Sequence, residues 1–117
     1  MLTSNHVYTS GSGGTNAAAI RGALRAEAPD LLTVVLPQSR AKQPDDSQEL
    51  LTLVTNVIDK PENDNLSLDV ASRLCNSDLL SRTDSLVCFA FHDSSTVIEA
   101  TNEAQALDMI ITTLYLD

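Results

Sequence analysis

The stretch "LLTVVLP", residues 31–37, decides the class of fold. Six residues in succession are apolar or β-branched, with no alternation of polar and apolar positions, before Pro37 ends the run. A strand with one wet face alternates. A strand apolar on both faces belongs in a parallel sheet covered by helices on either side. Proline closes the run because it has no N–H to offer a sheet ladder.

Four more runs of this kind lie outward from it. "SLVCFAF" (85–91) is apolar almost throughout, and "MIITTLYL" (109–116) is rich in β-branched residues. "HVYTS" (6–10) and "VIDK" (57–60) read as shorter strands, the second ended by Pro61. Segments of helical character separate the strands. "TNAAAIRGALRAEA" (15–28) follows the first, and "QELLTLVTN" (48–56) follows the second, with Asp46 or Ser47 placed to cap its free amides. "NLSLDVASRLCNSDLLSRT" (65–83) spaces Leu66, Val70, Leu74 and Leu79 near the helical repeat. "SSTVIEATNEAQALD" (94–108) has Ser94 as its N-cap. Strands alternating with helices, over connections long enough for right-handed crossovers, predict an α/β fold. The expectation is one domain over residues 1–117, a Rossmann-like three-layer α/β/α sandwich on a mainly parallel sheet of about five strands. There is no internal repeat, and the one polar stretch of note is the loop at 38–47.

Composition narrows the partners. Hydrophobic residues make up 43%, with two Phe, two Tyr and no Trp, so the core must come from Leu, Val, Ile and Ala. Sixteen acidic against seven basic residues give a net charge of −9. That charge disfavours direct nucleic-acid binding, which draws on Lys and Arg at phosphates, and docking on an anionic membrane. The chain has no apolar run of roughly 18 residues, and "MLTSNHVYTS" has neither the basic start nor the apolar centre of a signal peptide. A cytoplasmic protein, or one of the plastid stroma, is expected. Cys75 and Cys88 lack metal-ligand spacing and read as reduced, mostly buried thiols. No metal site and no cofactor are read from the scattered His and Cys.

Two loops carry chemistry. After the first strand come Gly11, Ser12, Gly13, Gly14 and Thr15. In parallel α/β sheets, ligands sit beyond the carboxyl ends of strands, where helix N-termini present free N–H groups to phosphate or carboxylate. Glycines let the backbone approach such a ligand closely, and Thr15 or Asn16 offers a cap and a side-chain contact. The spacing is neither GxGxxG nor a P-loop, so a tight strand-to-helix turn without a ligand explains the glycines nearly as well. The second loop lies in "FHDSSTVIEA" (91–100), where Ser94, Ser95 and Thr96 present hydroxyls and Glu99 falls on the first turn of a helix. His92 and Asp93 sit at the strand's edge, without the arrangement of a Ser–His–Asp triad.

Taken together, these segments resemble the SLOG superfamily of Rossmann-like proteins. It includes the DNA-processing protein A (Smf) family and the lonely-guy, or lysine-decarboxylase-like, nucleotide phosphoribohydrolases. "SGSGGTNAAAIRGAL" is similar to the family's "SGGxxGxDxxAHxGAL", and "LLTVVLPQSR" to its "TIAVLP" strand and loop. "NSDLLSRTDSLVCFAF" resembles "NRxIAxLSDxLVVVEA", which places Asn76 and Asp84 on its Asn and Asp. "SSTVIEA" stands where the family has "SGTLxTA" or "GGxGTxEE", so Ser95, Thr96 and Glu99 fall on the Gly-Thr-x-x-Glu positions. The small cyanobacterial and plant DNA recombination-mediator A-like proteins look most similar.

The resemblance implies a nucleotide or small phosphorylated ligand, held between Gly11–Thr15 and Ser94–Thr96, with Arg73 and Asn76 approaching from the helix beneath. It also implies two alternatives. One is a nucleoside 5′-monophosphate phosphoribohydrolase with Glu99 as its catalytic group; the other is an accessory protein in DNA recombination or uptake. The hydrolases carry an Arg where this chain has Cys75, with Arg73 out of register, and paired glycines where it has Asp93, Ser94 and Ser95. Binding with little or no catalysis is therefore the leading expectation. Family members also begin with a strand and helix that this sequence lacks ahead of residue 6. The unpaired edges so left predict a homodimer or higher oligomer.

Overall fold

A computed structural model of the chain describes residues 6–10, 15–25, 29–90 and 95–115. In chain order their elements are β1 (Val7–Ser10), α1 (Thr15–Arg25), β2 (Leu32–Val35), α2 (Asp45–Leu51), β3 (Asn56–Ile58), α3 (Leu68–Ser81), β4 (Ser85–Ala90), α4 (Ser95–Ala106) and β5 (Ile110–Tyr115). Short 3-10 turns lie at Pro29–Leu31, Arg40–Lys42 and Pro61–Asn63. Strands and helices alternate, and every pair of hydrogen-bonded strands is parallel, so the fold is α/β and Rossmann-like. Its five strands are joined as a sheet of three, in the order β1-β2-β3, and a sheet of two, β4-β5. The chain divides correspondingly into two compact units, Met1–Cys75 and Asn76–Asp117.

In the first unit β2 is the middle strand. It pairs with β1 from Val7↔Leu32 to Ser10↔Val35 and with β3 from Thr33↔Asn56 to Val35↔Ile58. All four of its residues are buried, which is why the run 31–37 shows no alternation. Ile20, Leu32, Val34, Leu36, Leu51 and Val54 form the core, with Ala23, Leu24, Leu50 and Val57 packed against it.

Two helices differ in detail from the sequence expectation. The helix expected over 48–56 runs Asp45–Leu51, with Pro44 at its N-cap, so Asp46 and Ser47 lie inside its first turn. Proline holds the entering chain extended, and Asp45 and Asp46 meet the positive end of the helix dipole. Gln48 Nε2 donates back to the Gln43 carbonyl at 2.7 Å, closing the turn before the helix. The helix expected over 65–83 is α3, whose buried positions include Ala71 and Cys75, while Leu66, Val70 and Leu74 are exposed. Small side chains permit close approach to the sheet. The Cys75 thiol donates to the Val35 carbonyl at 3.3 Å, a contact a leucine could not make.

In the second unit β4 and β5 pair from Ser85↔Ile110 to Ala90↔Tyr115, with α4 packed on one face. Cys88 and Thr113 lie toward α4, the thiol 3.3 Å from the Thr113 hydroxyl and 3.9 Å from that of Thr101. Of the two free cysteines Cys75 is buried and Cys88 only partly so. The alternate positions Val87, Ile110, Thr112 and Leu114 are exposed. Asp108 makes the corner between α4 and β5 with φ 56°, in the left-handed region. The Met109 N–H there reaches the Ala104 carbonyl at 3.0 Å, as in a Schellman ending. No helix among the described residues is long and apolar enough to cross a membrane.

Candidate functional site

The first junction that sequence points to is the turn from β1 to α1. Gly11, Ser12, Gly13 and Gly14 lie outside the described residues, and Thr15 is the first residue of α1. The described residues flanking the glycines meet through their side chains. The buried Thr9, next to last in β1, donates its hydroxyl to Asn16 Oδ1 at 2.5 Å. Thr9 stands opposite the buried Val34 in the ladder. With Oδ1 occupied, the Asn16 amide has Nδ2 left as a two-proton donor beside the first-turn N–H groups of α1. Such a constellation suits an anion.

The second junction is the turn from β4 to α4. His92, Asp93 and Ser94 lie outside the described residues. Ser95 opens α4 and is exposed, and Thr96 beside it is half-buried. Glu99, expected on the first turn, is the fifth residue of α4, whose first turn carries no acidic group. Its carboxylate therefore stands one turn back from the helix start, where the dipole is weaker.

Arg73 and Asn76 are both on α3, three residues apart and so neighbours on the helix surface. The Arg73 guanidinium is held 3.0 Å from Asp69 in an exposed pair within the helix. Asn76 is half-buried.

The carboxyl ends of β2 and β3 hold a cluster that sequence reasoning missed. Gln38 is buried, and its Nε2 donates to the carbonyls of Asn63 at 3.2 Å and Leu66 at 3.0 Å. Asn63 Nδ2 donates to the Pro37 carbonyl at 3.3 Å, and the Lys60 N–H to the Gln38 carbonyl at 3.1 Å. The Ser39 N–H donates to Asp64 Oδ1 at 2.7 Å. That backbone bond, with the Ser39 hydroxyl and Lys42 adding to it, holds the Asp64 carboxyl below its ordinary value of 3.8. These groups satisfy one another, so the cluster clasps two loops. The one signal in the sequence was a polar residue directly after "VVLP". Among the described residues no three His, Cys, Asp or Glu side chains converge as metal ligands.

What these residues define is a parallel α/β protein with two strand-to-helix junctions furnished with hydroxyl and amide side chains. Compared with models of protein families, with curated proteins and with solved structures, the chain matches none. The functional reading therefore rests on the fold and on the chemistry of the junctions.

Proposed function

We propose that this protein binds a nucleotide or another small phosphorylated ligand, with little or no catalysis. The observation that carries the reading is the β1–α1 junction. There the Thr9–Asn16 hydrogen bond orients an amide donor at the start of a helix that follows a parallel strand. Phosphate is the ligand group best matched to a helix N-terminus with added N–H donors. The β4–α4 junction adds support, since Ser95 and Thr96 bring hydroxyls to a second helix start after a parallel strand. The net charge of −9 argues for a compact anion held by directed N–H groups rather than for a polyanion held by a basic surface.

The test is thermal unfolding of the purified chain with nucleoside mono-, di- and triphosphates and with inorganic phosphate. A bound class should raise the midpoint, since ligand at 100 times its Kd stabilises by about 2.7 kcal/mol. Asn16→Ala should abolish that rise while the variant still unfolds cooperatively. No rise with any of these compounds would dismiss the reading. Release of free base from a bound monophosphate would replace it with that of a hydrolase, in which Glu99→Ala should stop turnover.

A further inference from the structure

We infer that the phosphorylated ligand carries a ribose, one of whose hydroxyls donates to Gln38 Oε1 beyond the carboxyl end of β2. The inference rests on the phosphate reading above and names the sugar that goes with it. Gln38 is only 7% exposed, although it follows the strand in a bend. Both protons of its Nε2 are committed, to the carbonyls of Asn63 at 3.2 Å and Leu66 at 3.0 Å. Only the nitrogen of an amide can serve two carbonyls, so the amide has one orientation and Oε1 is turned away from both. Among the described residues no donor reaches Oε1. It is an acceptor held in a fixed place.

That place is at the same end of the same sheet as the β1–α1 junction, within one compact unit. β1 and β2 run parallel and their ladder ends at Ser10↔Val35. The line of β2 continues beyond it, where the Leu36 N–H donates to the Ile58 carbonyl at 2.8 Å and the Lys60 N–H to the Gln38 carbonyl at 3.1 Å. Gln38 thus stands one strand over from Thr9, and neighbouring strands lie about 4.8 Å apart, the scale of a sugar ring. Where a ligand's phosphate meets the first helix of a βαβ unit, a side chain some twenty residues on accepts a hydrogen bond from its ribose. A carboxylate is the usual acceptor there. In a chain of net charge −9, an amide accepts the same bond without adding repulsion toward the phosphate.

Titration calorimetry of the whole chain tests this with inorganic phosphate, ribose 5-phosphate and the 2-deoxy and 3-deoxy forms of that sugar. Ribose 5-phosphate should bind more tightly than phosphate. One deoxy sugar should bind about tenfold more weakly than ribose 5-phosphate, for the loss of one hydrogen bond to a fixed acceptor. Gln38→Met should bring ribose 5-phosphate down to the level of that deoxy sugar while phosphate binds as before. Asp64→Asn weakens the same clasp but keeps Gln38, so it should retain the preference for the hydroxyl. Equal binding of all three sugar phosphates by the wild-type chain would overturn the inference and leave phosphate binding standing, and this comparison needs no variant to fold. So would a preference that survives in a folded Gln38→Met chain, or one lost equally in both variants. No binding of phosphate or of any sugar phosphate would overturn the reading beneath it as well.

Discussion

Asp64 shows how much a single carboxylate contributes to holding two loops in place. It accepts the Ser39 N–H at 2.7 Å, and this bond favours its charged form and lowers its pKa below 3.8. A depressed folded-state pKa means stability that is present above the unfolded value and lost as pH falls through the folded one. Asp64→Asn should therefore lower the thermal midpoint at neutral pH, and the gap from wild type should narrow as pH drops below 3.8. A gap that stayed constant into acid would show that the carboxylate's charge contributes nothing. At this scale the sequence was least legible. The partners of Gln38 lie 25 and 28 residues away, and those of Ser39 and Asp64 are likewise 25 apart. Thr9 and Asn16 are closer, seven apart, yet no local pattern records the bond between them. The residues proposed for the ligand were legible because glycine and hydroxyl-rich turns at strand ends have a recognisable composition. The contacts that organise them were not.

Elements were far more legible, because burial and backbone preference both leave a period in the sequence. Each of the five strands and four helices expected from pattern is present, with ends shifted by a few residues. The face a helix buries was harder to read. In the first half of α3 the large residues Leu68, Val70 and Leu74 are exposed and Ala71 and Cys75 are buried, while further along Leu80 is buried, so side-chain size misleads only where the helix lies close on a sheet. The α4–β5 corner offers a direct measurement. Asp108 holds φ 56° at the end of α4, a conformation glycine adopts without the steric cost imposed by a Cβ. Asp108→Gly should stabilise the chain by about 1 kcal/mol, read from urea unfolding with the slope of the transition unchanged. Destabilisation would mean that the aspartate side chain makes a contribution larger than the relieved strain.

For the whole molecule the governing quantity is charge. With sixteen acidic and seven basic residues, repulsion opposes compaction, and the ion pairs Arg73–Asp69 and Arg82–Asp78 join residues one turn apart on the same helix. Pairs of that kind contribute little. Added NaCl should thus raise the thermal midpoint as the Debye length falls from about 30 Å to about 8 Å. A falling midpoint would mean that attractive pairs dominate after all. By itself the sequence determined the α/β class, the order of strands and helices along the chain, and the strand ends where a ligand is to be sought. Those properties follow from local backbone preference and from how often apolar residues recur. Only the tertiary structure decided that β2 lies between β1 and β3, that β4 pairs with β5 apart from them, which face of α3 is buried, and that Thr9 meets Asn16. The physical reason is that closing one chain loop costs nearly the same as closing another of similar length. The choice among partners then falls to packing and hydrogen bonding between residues far apart in the chain, which no local pattern records.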